Sequence, residues 1–360
     1  MVDDTHNTTS DHDNYTHWFM YDCTLNLDHS SRRVFLFLMH LLFFTVALME
    51  NCLVVWVNWK RRRSCSRVLF YVLNVSISDL MAVLLMPFFM LEVTIDKVWL
   101  WGQFLCKFTH LVYTVNFYSS AFFVACMTLE RYRSVSQPES TSWGLPERHR
   151  RALICGGLWT LAVLLALIEN VHVDLLEFEE PGCYLIPDYS YSMWFDALIC
   201  ISLFFQFVGP AVIIITCNVL IARTVGTMAN VEGRRDVWLV HVYSLVFVVC
   251  WLPYHLVMML IMVDDVAPHL FSCNMADAIY FSFSIVECLS FFHCIANPIL
   301  YSFLSKGFQE MLVNTLLQHL SSRAPNAEGC PDADRPKRPA ADKQGRRAST
   351  SGTSHSDVGP

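Results

Sequence analysis

A lone aspartate, Asp79, stands in Asn74-Val75-Ser76-Ile77-Ser78-Asp79-Leu80, inside a longer apolar run. An unpaired carboxylate is costly in such surroundings, so an ionisable residue there marks a functional site by default. Asn116 and Ser120 are four residues apart, as are His293 and Asn297, and each pair therefore shares one helix face. Around one carboxylate these groups could form an oxygen-rich cage for a small hard cation such as sodium, or a hydrogen-bonded network holding water. Glu287 lies ten residues before Asn297, about 15 Å away along a helix axis. As a lone carboxylate among apolar neighbours it suits a cationic group of a ligand, with Tyr113, Trp251 and Tyr254 as aromatic partners for positive charge. The plainer role is a pair with another buried side chain or with water.

Such groups need a scaffold whose outer surface is lipid. Hydrophobic residues make up 54% of the 360-residue chain and charged residues only 16%, which argues against a single soluble domain. Apolar windows fall near Val34 to Asn58, Val68 to Ile95, Gln103 to Val135, Arg151 to Glu169, Ser192 to Arg223, Val237 to Val263 and Met275 to Phe303. These windows match or approach the roughly 20 residues that cross the hydrocarbon. The expected fold is an all-α bundle of seven membrane-spanning helices. Basic residues collect after the first, third and fifth windows (Lys60 to Arg63 and Arg67; Arg148, Arg150 and Arg151; Arg234 and Arg235), whereas acidic ones collect in the alternate loops. Positive loops stay cytoplasmic, so the N-terminus is outside and the C-terminus inside.

That topology sorts the remaining features. Residues 1–33 form an acidic outer tail whose sequons at Asn7 and Asn14 lie on the glycosylated side; its aspartates give either a solvated segment or a docking strip for a basic partner. Residues 34–304 form the bundle. Residues 305–320 carry Phe308, Leu312 and Leu316 at four-residue spacing, an amphipathic helix on the membrane surface. Residues 321–360 are a disordered tail in which Ser349, Thr350, Ser351, Thr353, Ser354 and Ser356 are candidate phosphorylation sites and a handle for arrestin. Of 14 cysteines, Cys23, Cys106, Cys183 and Cys273 fall outside the membrane on the oxidising side, enough for two disulfides whose pairing four positions leave open. Glu130-Arg131-Tyr132 closes the third window at the inner face, Pro253 licenses a kink in the sixth, and Pro298 with Tyr301 perturbs the seventh. These six residues are the candidate switch.

Together the motifs resemble the rhodopsin-like (class A) G-protein-coupled receptors. Asn51, Asp79, Glu130-Arg131-Tyr132, Trp159, Pro210, Cys250-Trp251-Leu252-Pro253 and Asn297-Pro298-Ile299-Leu300-Tyr301 occur in the family's order over about Cys23 to Leu320. Within that class the chain is similar to the chemokine receptors, atypical members included, through Pro87, Trp99-Leu100-Trp101-Gly102 before Cys106, and Phe292-His293-Cys294 before Asn-Pro. The resemblance implies pairs Cys106–Cys183 and Cys23–Cys273 and ligand contacts at Glu287 and Tyr113. Trp99, Glu92, Trp251, Tyr254 and His255, in or beside the shared motifs, complete the expected ligand set. Departures concern output: Arg133 and Ser134 follow the Glu-Arg-Tyr, Glu139 follows Pro138, and Asn218 stands where the fifth helix usually presents a tyrosine to Arg131.

The resulting expectation is a plasma-membrane receptor, recycling through endosomes, that binds a chemokine or other basic peptide and engages arrestin with weak or no G-protein signalling. The alternatives are a G-protein-signalling receptor for an adrenomedullin-like peptide hormone and, remotely, a cation transporter, although no internal repeat of the transporter kind is present. No nucleophile with a base or metal converges on an accessible site, so no enzyme is expected. Membrane lipid is an expected partner and nucleic acid is not. No cofactor is expected apart from an allosteric sodium ion.

Overall fold

The computed structural model describes residues 29–60, 67–95, 98–136, 147–177, 180–186, 190–225, 231–267 and 270–304, together with 309, 313, 314 and 317. The chain divides into two compact units, Met1–Asn314, which holds the bundle, and Thr315–Pro360, of which only Leu317 is described, as helical. Seven helical segments are long and apolar enough to cross a membrane. The first four spans lie in α1 (His29–Lys60), α2 (Arg67–Thr94), α3 (Gly102–Ser136) and α4 (Glu147–Asn170). The fifth joins α5 (Tyr191–Ser202) through a π-helical turn (Leu203–Val208) to α6 (Gly209–Val225); the sixth is α7 (Val231–Val266), and the seventh is split into α8 (Cys273–Ser290) and α9 (His293–Leu304). The π turn precedes Pro210, which has no N–H to return to the preceding turn, and Gly209 N–H instead reaches the Phe204 carbonyl five residues back.

α3 is the central helix: 83% of its apolar stretch is buried, against 22% for that of α4, which faces outward. It packs against α2, α4, α6 and the outer hairpin. One apolar cluster joins α1, α2, α3 and the seventh span through Leu36, Ala82, Met86, Tyr113, Phe291 and Cys294, and another joins α3, α6 and α7 through Ala121, Ile214, Phe247 and Trp251. Exposed leucines, valines and phenylalanines elsewhere are the lipid face expected of such a bundle.

Two features depart from the sequence reading. The acidic loop between α4 and α5 contains a hairpin, β1 (Val173–Glu177) antiparallel to β2 (Pro181–Leu185), with Leu175 opposite Cys183. α7 is helical throughout with Pro253 inside it, whereas the seventh span carries an unexpected interruption at Phe291-Phe292, ahead of Asn297-Pro298. There the amides of Phe291, Phe292, Cys294 and Ile295 all bond three residues back, a tightened turn. The sequons, Cys23, Glu139 and the phosphorylation cluster lie outside the described residues, as does most of the 305–320 helix.

Candidate ligand cavity and polar switch

The polar centre is built by three spans. Asp79, fully buried on α2, accepts from Asn116 Nδ2 at 2.9 Å and Ser120 Oγ at 3.1 Å on α3, and from Asn297 Nδ2 at 3.4 Å on α9. His293 Nε2 stands 3.7 Å from the same carboxylate. All five predicted network residues therefore meet. Ser78 and Ser119 bond at 2.6 Å and extend the network toward Asn116, whose amide also donates to Ser78. Beside it lies a small cavity lined by Ser120, Val124, Val246, Phe247, Trp251, His293 and Asn297.

Proline chemistry explains a second cross-link. Pro298 has no N–H for the carbonyl four residues back, that of Cys294, and Asn51 on α1 supplies the missing donor at 2.8 Å. Asn51 also donates to the Ala47 carbonyl at 2.9 Å. The break at Phe291-Phe292 likewise diverts Cys294 N–H from Ser290 O to Phe291 O. The Ser290 carbonyl then accepts from His293 Nδ1 at 2.6 Å.

Toward the outer face the expected ligand residues separate into layers. Tyr113 on α3 packs edge-on against Phe89 and Phe291, and its hydroxyl, buried, has no hydrogen-bond partner among the described residues. It lies in the field of both Glu287 and Glu92, while Tyr254 lies in that of Glu287 and Glu169. Trp251 touches Phe117 and His293 and lines the small cavity beside the polar centre. His255, beside Tyr254 and Phe207, has a buried Nε2 with no hydrogen-bond partner among the described residues. Trp99 is buried beneath the hairpin: its amide donates to Pro181 O at 2.6 Å and its indole to Gly102 O at 3.0 Å, so it braces the outer rim. Glu169, bonded by the Tyr118 hydroxyl, was not singled out from the sequence, although the rule that flagged Asp79 applies equally to this carboxylate at the end of an apolar helix.

The rim is fastened at several points. Cys106 at the start of α3 is bonded to Cys183 on β2, with Cα atoms 5.7 Å apart, as the resemblance implied. Cys273 is also disulfide-bonded; its expected partner Cys23 lies outside the described residues. Asp174 on β1 accepts from Gln103 at 2.6 Å and Lys107 at 3.0 Å. These bonds, the Gln103 contact foremost, hold its carboxyl below the usual carboxylate range.

At the inner end, Glu130 pairs with Arg150 of α4 at 2.9 Å, a partner on another helix. Arg131 and Tyr132 are half-buried. Asn218 on α6 is buried and donates to Ser244 of α7. Tyr301 ends up in α9, and its side chain lies outside the described residues.

A seven-helix membrane bundle with a buried Asp79 centre, a disulfide-fastened outer hairpin and Glu-Arg-Tyr at the inner end of its central helix is the architecture of a seven-span receptor. The chain belongs to the 7 transmembrane receptor (rhodopsin family), whose family model matches residues 50–301. It is 38% identical to G-protein coupled receptor 182 of Homo sapiens over 326 residues, 90% of this chain and 80% of that one. The rat protein of the same name is 36% identical over 339 residues, 94% and 81% of the two chains. Atypical chemokine receptor 3 of Homo sapiens is 28% identical over 288 residues, 79% of each. The protein is thus a multi-pass membrane receptor of this family, which is a family of receptors and not of enzymes.

Proposed function

We propose that the protein is a plasma-membrane chemokine receptor of the atypical kind, which captures a basic peptide and carries it inward with arrestin while driving G proteins weakly or not at all. Asn218 carries the second half of this reading. A short amide committed to Ser244 of α7 replaces the long phenol that would reach toward Arg131, so the inner ends of α6 and α7 lack a contact that would hold an open, G-protein-receptive state. The names of the relatives called atypical chemokine receptors support the ligand half. So do the carboxylates of Glu287, Glu92 and Glu169, which lie near enough to Tyr113 or Tyr254 to act on them and favour a cationic peptide segment. In the same reading the acidic outer tail makes the first, electrostatic contact.

Motion of the ligand in the cavity reaches the polar centre through Trp251, whose ring lies 4.9 Å from that of His293. A sodium ion fits the oxygen side of that centre, where the Asp79 carboxylate, the Ser120 hydroxyl and Asn297 border the small cavity. Bound there, the ion would neutralise the carboxylate.

The test is uptake. Cells bearing the receptor, given a labelled chemokine panel, should internalise at least one member and recruit arrestin with little G-protein activation. Glu287→Gln should weaken that uptake. Strong inhibition of cAMP by a chemokine through this receptor would overturn the scavenging role, and binding of an amidated peptide hormone in place of chemokines would replace the ligand class.

A further inference from the structure

Glu50 on α1 is a carboxyl inside the membrane that the bundle leaves without a partner. It belongs to the Ser30–Trp59 span and precedes Trp59 by about 14 Å of helical rise, well within the hydrocarbon. Its neighbour Asn51 reaches across to the seventh span. Asp79, Glu130 and Glu169 each have a donor on another helix. Glu50 has none: its Oε2 is buried without a hydrogen-bond partner, and no charged or donating group among the described residues acts on the carboxyl. Helix geometry shows which way it can turn. Ala47 and Val54, three before and four after it, are buried, whereas Val46 and Leu53, four before and three after, are partly exposed. Leu42 and Met49, further round on that side, are exposed. Glu50 is itself partly exposed, so it lies on the border between the packed side of α1 and its lipid side.

We propose that this border of α1 is an interface between two copies of the receptor, in which the protonated Glu50 carboxyl of one copy exchanges hydrogen bonds with that of the other. A carboxylate facing lipid is expensive, but the acid form carries one O–H donor together with acceptors and so complements itself. Two copies in one bilayer have the same orientation, and a twofold axis between them runs along the membrane normal. That axis brings each residue of α1 opposite its own counterpart, so Glu50 meets Glu50 at equal depth with no adjustment of register. A different protein would have to carry a polar side chain of its own to that depth, at its own cost of insertion. Apolar contact among Leu42, Val46, Met49 and Leu53 supplies little by itself, because lipid solvates these side chains as well as another helix does; the hydrogen bonds therefore decide the association. The side chain is held by no bond within its own copy and is free to turn outward. This inference does not depend on the receptor's peptide ligand.

Full-length receptor carrying donor or acceptor fluorophores at its C-terminus is reconstituted in phosphatidylcholine vesicles, and energy transfer is followed as added lipid dilutes the protein. Wild type should associate, and Glu50→Leu should lower the association constant about tenfold. Glu50→Gln, whose amide also donates and accepts, should associate like wild type. A bifunctional thiol reagent should add a dimer band for Leu53→Cys over wild type, and none for Leu153→Cys, which stands on the exposed face of α4. This second reading keeps Glu50 in place and decides the matter if Glu50→Leu fails to fold. Wild-type transfer no greater than chance proximity, equal association in wild type and a folded Glu50→Leu, or cross-linking of Leu153→Cys in place of Leu53→Cys overturns the proposal. Loss of association in Glu50→Gln as complete as in Glu50→Leu would assign the contact to a charged carboxylate and overturn the acid pair.

Discussion

Replacing Asn51 with alanine tests the physical account of the seventh span. Asn51 is fully buried, and its amide fills the acceptor that Pro298 leaves open at Cys294. Losing that donor strands a carbonyl in a medium without water, at about 1–3 kcal/mol for an unsatisfied buried group. Two considerations reduce the figure: the Asn51 Oδ1 itself has no partner among the described residues, so its removal is no loss, and hydrogen bonds measured within membrane bundles average about 0.6 kcal/mol. We therefore expect Asn51→Ala to destabilise by about 1–2 kcal/mol. Pro298→Ala restores an N–H aimed at the same carbonyl, so in that background Asn51→Ala should lose most of its effect, a coupling of about 1 kcal/mol. Thermal melts of the four proteins of this double-mutant cycle in one detergent measure it. An equal penalty for Asn51→Ala in both backgrounds refutes the assignment of Asn51 as the donor that replaces the proline's missing N–H.

Three further perturbations follow from the geometry. Arg150→Gln removes the ion-pair partner of a Glu130 side chain that is only 4% exposed and should destabilise by about 1–3 kcal/mol, with Glu130→Gln on top recovering most of it in the same melts. Tyr118→Phe withdraws the hydroxyl bonded to Glu169 and should lower stability by about 1–3 kcal/mol; a melt unchanged from wild type would remove Glu169 from the set of buried carboxylates that need a partner. Asp174, whose folded-state carboxyl is held below the usual range by Gln103 and Lys107, contributes stability above its unfolded pKa and loses it only as pH falls through the lower folded value. The clasp should therefore survive acidification to about pH 5–6, the range of endosomal switches; hydrogen exchange of the β1–β2 amides at the two pH values checks this, and early release would contradict it.

Much of the bundle is legible in sequence because lipid imposes a strict rule: helices of about 20 apolar residues, with polar groups turned inward. The same rule brought Asp79, Asn116, Ser120, His293 and Asn297 together, since each is an expensive exception on an apolar helix and four-residue spacing put the pairs on common faces. It should have flagged Glu169 too. What stayed hidden is what depends on partners distant in sequence. The strands β1 and β2 are too short to announce themselves and are held by Cys106 and Trp99, some 70 residues earlier or more. The commitment of Asn218 to Ser244 and of Glu130 to Arg150 spans helices whose packing the sequence does not encode locally. Phe291-Phe292 reads as helix, and only the diversion of the Cys294 amide to Phe291 reveals a break there.

The hairpin above the cavity is joined to the bundle by Cys183, by the Pro181 carbonyl and by Asp174, each bound to residues at or just before the outer end of α3. A mouth held this firmly is set before any peptide arrives. Little backbone freedom remains there to be lost on association, so the ordering entropy of complex formation falls mainly on the incoming peptide. Differences among ligands should then show in how slowly they leave far more than in how fast they enter. In the uptake role proposed above, long residence is the kinetic quantity that decides whether the ligand is still bound when the membrane closes around it.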